Sequence, residues 1–249
     1  MATILEVHNL YKSFGGVEAV KDVSFELEKG QLLAMIGPNG AGKSTCFNLI
    51  NGQLRPDHGR IIIMDKEING RKPRDVWKLG VGRTFQITST FASMTVLENI
   101  QMALLSYHRR TNSLLRKVSQ LYVDESIELL ERVGIGDQAD RTCGVLAYGD
   151  LKRVELAVAL ANKPRLLLMD EPTAGMGPAQ RQTLMELTRN IVRTRNIGVL
   201  FTEHDMDVVF NHADRIIVLS RGELMAEGTP AEVQKNAEVK EIYLGTEIT

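Results

Sequence analysis

Leu32-Leu33-Ala34-Met35-Ile36-Gly37-Pro38-Asn39-Gly40-Ala41-Gly42-Lys43-Ser44-Thr45 is the stretch whose reading decides the fold. Its first five residues form a continuous apolar run, the pattern of a strand buried on both faces in a parallel sheet. Gly37 to Ser44 then fits G-x-x-x-x-G-K-(S/T), and Lys43 to Ile50 reads as helix. In a strand–loop–helix of this kind, glycines let backbone N–H groups converge on a polyphosphate, and the helix N-terminus adds positive potential. Gly37, Pro38, Asn39, Gly40, Ala41, Gly42, Lys43, Ser44 and Thr45 are therefore candidate nucleotide-binding residues. Lys43 would neutralise the β- and γ-phosphates, and the Ser44 hydroxyl would ligate Mg²⁺.

A second element fits beside the first. Leu166-Leu167-Leu168-Met169 is another buried-strand run, and it ends in Asp170-Glu171. A carboxylate at the C-terminal end of such a strand emerges where nucleotide sites lie in open α/β sheets. Asp170 suits Mg²⁺, directly or through water, and Glu171 can polarise an attacking water. Together the two elements describe a nucleoside triphosphatase core.

The rest of the chain is arranged around that core. Ile4, Val7, Val23, Phe25 and Leu27 alternate with polar residues, which predicts β-structure before the phosphate loop. Thr95-Val96-Leu97-Glu98 is a capping-box pattern; Val123, Ile127 and Leu130 recur at helical spacing, with Gly134 as the stop. Ser106 to Gln120 is polar and basic and reads as a solvated face. Buried strands return at 166–169, 198–202 and 216–219, the last before an Arg221-Gly222 turn. Strands alternating with helices predict an α/β parallel sheet with helices on both faces. The helical block 87–160 reads as an insertion between core segments 1–86 and 161–249 of a single domain.

Composition narrows the classes further. The 249 residues carry 30 Lys+Arg and 31 Asp+Glu, a formal charge of −1, with 43% hydrophobic residues. Such a chain is neither disordered nor collagen-like, and it does not grip nucleic acid by bulk charge. Its longest apolar runs, Ile61 to Met64 and Leu166 to Met169, are too short to span a bilayer. The N-terminus lacks the basic start and apolar stretch of a signal peptide. Cys46 and Cys143 form neither a disulfide framework nor a metal spacing.

With these motifs in order, the chain resembles the ATP-binding subunits of ABC transporters over essentially its whole length. Gln86, in Gly82-Arg83-Thr84-Phe85-Gln86, matches the family's glutamine loop, which contacts Mg²⁺ and the attacking water. Leu146-Ala147-Tyr148-Gly149-Asp150 stands where the L-S-G-G-Q signature is expected. Thr173-Ala174-Gly175-Met176-Gly177-Pro178 resembles the D-loop, His204 the switch histidine, and Phe14 the aromatic that stacks on adenine. Two positions depart from the pattern. Ala147 replaces the usual Ser, removing one charge-assisted hydrogen bond worth about 1.5–3 kcal/mol, and Gly177 replaces the D-loop Asp.

The resemblance implies a P-loop NTPase core, a RecA-like parallel sheet with an N-terminal antiparallel β-subdomain, plus the inserted helical subdomain. It also implies ATP hydrolysis with Mg²⁺, catalysed through Lys43, Gln86, Glu171 and His204, with Ser44, Gln86 and Asp170 at the metal. ATP would lie between the phosphate loop of one subunit and Leu146, Ala147, Tyr148 and Gly149 of a second, identical or related one. An integral membrane permease and, indirectly, a solute-binding protein are the implied partners. The implied location is the cytoplasmic face of the inner membrane, held peripherally. The L-A-Y-G signature, Met94-Thr95-Val96-Leu97-Glu98-Asn99, Glu203-His204-Asp205-Met206 and Tyr243-Leu244-Gly245 look most like ATPase subunits of branched-chain amino-acid importers. Urea and amide importers share much of this, and the lipopolysaccharide-export ATPase shares less. A soluble ABC ATPase outside transport is the other alternative. A nucleotide-gated scaffold without turnover fits less well, since Glu171 leaves a base in place.

Overall fold

In the computed structural model, residues 2–84, 90–108 and 121–244 are described. Two sheets carry the fold. Strands β1 (Thr3–Phe14), β2 (Val17–Glu28), β4 (His58–Ile63) and β5 (Lys66–Glu67) form an antiparallel sheet in the order β2-β1-β4-β5. The second sheet contains β3 (Leu32–Ile36), β6 (Val81–Thr84), β7 (Leu166–Asp170), β8 (Gly198–Thr202), β9 (Arg215–Ser220) and β10 (Glu223–Gly228). Its order is β10-β9-β3-β8-β7-β6, parallel except for the β9–β10 hairpin. That hairpin turns on Arg221 and Gly222, both at positive φ (50° and 85°), as a two-residue turn between twisted strands requires.

All five residues of β3 and of β8 are buried, as the apolar runs predict. The two faces they bury are covered differently. Leu32, Ala34 and Ile36 point into one apolar cluster, shared with helices α3 (Val96–Tyr107), α4 (Val123–Arg132), α5 (Tyr148–Leu160), α6 (Pro178–Arg195) and α7 (Met206–His212). Leu33 and Met35 point into another, filled by Phe47 and Ile50 of α1 (Lys43–Ile50) and by Ile4, Leu5, Val7, Phe25 and Leu27 of the antiparallel sheet. Helices thus cover one face, while α1 and a second sheet cover the other. The reason lies in β1 and β2, whose alternating apolar positions expose a hydrophobic face too large for one short helix to hide.

Between β6 and β7 the chain runs through α3, α4 and α5, whose apolar residues join the same cluster as β3 and β7. Thr95 caps α3: its hydroxyl accepts from the Glu98 N–H at 3.1 Å, and the Glu98 carboxylate accepts from the Thr95 N–H at 2.8 Å. Gly134, at φ 72°, follows the end of α4 as anticipated. Short helices α2 (Pro73–Lys78), α8 (Pro230–Lys235) and α9 (Ala237–Leu244) complete the chain. Cys46 and Cys143 are both free and buried. Among the described residues no helix is long and apolar enough to cross a membrane. Replacing Thr95 with Ala removes the reciprocal cap, and chemical denaturation is expected to show a loss of about 1 kcal/mol.

Candidate nucleotide site

The parallel register builds the site. β3 lies between β9 and β8, and β8 lies next to β7, so the loops leaving their C-terminal ends emerge side by side. Those loops hold Gly37–Gly42, Asp170-Glu171 and Glu203-His204. A cleft of about 310 Å³ opens among them, lined by Ala19, Asn39 to Thr45, Glu171 and His204.

The loop keeps its shape because glycine is required at two places. Gly42, at φ 102°, sits so close to β2 that a Cβ there would lie 2.4 Å from the Ala19 carbonyl oxygen. At Gly37 a Cβ would lie 2.2 Å from the Leu219 carbonyl oxygen of β9. Gly42 is also the N-cap of α1 and offers no side-chain acceptor, so the first N–H groups of that helix stay available. Lys43 is buried; its ammonium donates to the carbonyl oxygens of Gly37 at 2.6 Å and Pro38 at 3.0 Å. Burial lowers its pKa, and the charges of Glu171 and Asp170 oppose that shift. Ser44 is exposed at the cleft.

The acidic wall is tied together through Thr202. Asp170 stands opposite Thr202 in the β7–β8 pairing, and the Thr202 hydroxyl donates to Asp170 Oδ1 at 2.8 Å. The same hydroxyl oxygen accepts from the Glu171 N–H at 3.0 Å. Glu171 lies at φ 47°, a left-handed conformation unusual for a residue with a side chain. Its Oε1 is 2.9 Å from His204 Nε2; since an ionised carboxylate only accepts, the imidazole carries hydrogen on Nε2. Arg83 also reaches Asp170, at 3.6 Å, and is itself held by Asn48.

Not every predicted residue meets at this cleft. Phe14 ends β1 as a half-exposed ring with the Lys12 ammonium 5.5 Å from its centroid. Leu146, Ala147, Tyr148 and Gly149 do not line it: Ala147 is the N-cap of α5, and Tyr148 is exposed. Tyr148 and Gly149 lie instead against Gly175 and Gln180 of the same chain. A Cβ at Gly175 would lie 3.1 Å from the Tyr148 ring, and one at Gly149 would lie 3.2 Å from Gln180. Gln86 and most of the basic stretch 106–120 lie outside the described residues, as does Gly245. Sequence reading missed Ala19, Thr202 and Glu203. Thr202 carries no motif, and Glu203 enters only through the family resemblance, with no contact of its own; the tertiary structure reveals what they touch. Glu203 is buried, and burial, with a smaller push from Glu171, raises its pKa against the pull of Thr173 and the His204 N–H.

The arrangement presents a cation and helical N–H groups opposite two carboxylates and an imidazole, across a cleft of polyphosphate size. That chemistry suits binding a nucleoside polyphosphate and activating a water beside it.

Comparison with known proteins agrees. Residues 20–174 match the ABC transporter family model, and residues 223–249 match that of the branched-chain amino acid ATP-binding cassette transporter. The high-affinity branched-chain amino acid transport ATP-binding protein LivG of Escherichia coli is 38% identical over 250 residues, covering 97% of this chain and 98% of that protein. Among solved structures, the ADP conformation of an ATP-binding cassette of an ABC transporter superposes with a TM-score of 0.88 at 32% identity. The match covers 98% of this chain and all of that one (100%). A dimeric bacterial ABC transporter cassette superposes at 0.77 with 25% identity, covering 91% of this chain and 99% of that one. A matching family model over most of the chain, near-full-length relatives and a phosphate loop facing Glu171 and His204 lead to one assignment: this chain belongs to the ABC transporter family of ATP-binding cassettes.

Proposed function

We propose that this protein is the ATP-hydrolysing subunit of a membrane importer for branched-chain amino acids. The observation that carries the hydrolytic part is the Glu171–His204 contact at 2.9 Å, set across the cleft from the phosphate loop. The substrate class is supported by the LivG relative and by the carboxy-terminal family match.

In this reading the Gly37–Thr45 loop wraps the phosphates. Lys43 exchanges its two carbonyl partners for β- and γ-phosphate oxygens, a favourable trade for a buried ammonium. Glu171 accepts a proton from water as the water oxygen bonds to the γ-phosphorus and the bond to the ADP oxygen breaks. His204 holds Glu171 in place beforehand and is positioned to donate to the γ-phosphate. Phe14, exposed at the edge of the antiparallel sheet, offers its ring to the adenine.

The donor set fits Mg²⁺. Ser44 and Asp170 are hard oxygen donors, and Mg²⁺ is held by one or two such groups together with phosphates and waters. Among the described residues no cluster of three or more His, Cys, Asp or Glu side chains offers a self-contained metal cage, which suits an ion that arrives with nucleotide. When bound, Mg²⁺ would offset the negative charge that develops on the transferred phosphoryl group. Gln86 is the third proposed ligand.

Leu146, Ala147, Tyr148 and Gly149 line no part of this chain's own cleft, which favours their serving a second subunit's ATP. The dimeric cassette relative supports a two-subunit assembly. The second subunit is a copy of this chain or a related ATPase. The working partner would be an integral permease fed by a solute-binding protein, with this chain peripheral on the cytoplasmic face of the inner membrane. Residues 1–86 and 161–249 would act as the nucleotide-binding core and 87–160 as the helical subdomain that meets the permease.

Glu171→Gln is expected to elute as an ATP-dependent dimer in size-exclusion chromatography, with turnover reduced about a hundredfold or more. A variant that stays monomeric and hydrolyses ATP at the wild-type rate would remove the assignment. Lys43→Ala is expected to show no ATP binding by calorimetry; unchanged affinity would overturn the phosphate-loop reading. Copurification of the chain with a permease, and transport of leucine in reconstituted vesicles, tests the substrate class.

A further inference from the structure

We propose that Glu203 and Asp205, the two neighbours of His204, are positioning residues that clasp the histidine segment to the Thr173–Arg181 segment and so set the Glu171–His204 contact. The inference rests on the ATPase reading above and deepens it.

The geometry is a closed ring. Glu203 is only 4% exposed, and its Oε1 accepts from both donors of Thr173: the N–H at 2.8 Å and the hydroxyl at 2.7 Å. Thr173 lies two residues beyond Glu171, and Glu203 directly precedes His204. The His204–Glu171 contact therefore closes a loop whose other side is the Glu203–Thr173 pair. Asp205 makes a second attachment. It pairs with Arg181, whose Nε donates to the Met176 carbonyl at 2.7 Å. The other Asp205 oxygen caps α7, accepting from the N–H groups of Asp207 at 3.0 Å and Val208 at 3.2 Å.

Two physical arguments give these attachments a role. The His204 side chain is 52% exposed, so its single hydrogen bond to Glu171, competing with water, does not orient the ring alone. Its direction must come from its flanks, and both flanks are held. A buried carboxylate is also costly, and an apolar residue would pack at less expense in solvation. What a carboxylate adds at 203 is one oxygen able to receive two hydrogen bonds from a single residue, which fixes spacing and angle together. Because Thr173 and Met176 belong to the same segment, a displacement of 173–177 carries His204 with it.

The test uses the full-length chain with Glu203→Ala, Glu203→Gln and Thr173→Val, reading steady-state ATP hydrolysis, ADP affinity by calorimetry and thermal unfolding. Glu203→Ala is expected to lower kcat about tenfold or more, with KM for ATP and ADP affinity within about twofold of wild type. Glu203→Gln should restore most of kcat, because its amide oxygen still accepts both Thr173 donors. Thr173→Val keeps one donor and should fall between. In nucleotide-free protein, the NMR resonance of the His204 ring should move in Glu203→Ala and stay in place in Glu203→Gln. Wild-type kcat in Glu203→Ala, or in Thr173→Val should the alanine variant not fold, overturns the clasp; so does a glutamine variant as impaired as the alanine one. Loss of ADP affinity in step with kcat overturns it too, since the phosphate loop is not part of the ring. Failure of the ATPase reading looks different: wild type and Lys43→Ala would then handle ATP alike, while the His204 resonance still reports on the clasp.

Discussion

The parallel hydrogen bonding of β7 to β8 sets Asp170 opposite Thr202, and the chemistry of the site depends on that register. Side chains in a strand alternate in direction, so a slip of one residue would turn Thr202 away from Asp170 and send Glu203 toward the opposite face. In the observed register, one hydroxyl serves both the Asp170 carboxylate and the Glu171 N–H. The left-handed backbone at Glu171 then directs its side chain to His204 instead of along the strand. β3 lies on the other side of β8, so the phosphate loop faces this pair across the sheet.

The same packing fixes the shape of the phosphate loop. Its glycines are wedged against backbone carbonyls of β2 and β9, and the Gly222 N–H donates to the Ala41 carbonyl at 3.1 Å. A buried ammonium needs partners, and Lys43 finds them in two carbonyls of its own loop. Those partners are neutral. Phosphate oxygens are charged and make stronger acceptors, so the loop stores a cation in a position from which exchange is downhill.

The departures from the family signature acquire a structural sense. Ala147 leaves the N-terminus of α5 without a side-chain cap, so backbone N–H groups alone would meet a phosphate there. Tyr148 lies over Gly175, whose φ of 78° suits glycine and where a Cβ would sit 3.1 Å from the Tyr148 ring, so the signature and the Gly175 segment meet closely. Gly177 is different. A Cβ there meets nothing within 4 Å, so packing does not exclude the missing Asp.

Several features were legible in the residues alone because they depend on short-range patterns. Runs of four or five apolar residues marked the buried strands, a Gly-rich octet before a helix marked the phosphate loop, and Thr95 with Glu98 marked a helix start. The carboxylates at 170 and 171 followed from their place at a strand end. The antiparallel sheet followed from the family resemblance, but what its apolar face covers did not, because alternation in β1 and β2 says that one side is buried and not what it is buried against. The roles of Thr202 and Glu203 were equally hidden: their partners lie about thirty positions away in the chain, and only strand order brings them near. The sequence by itself determined which groups could bind phosphate and activate water. The tertiary structure decided which of them meet, because contacts across a parallel sheet are set by register and strand order, and neither is written in any local stretch.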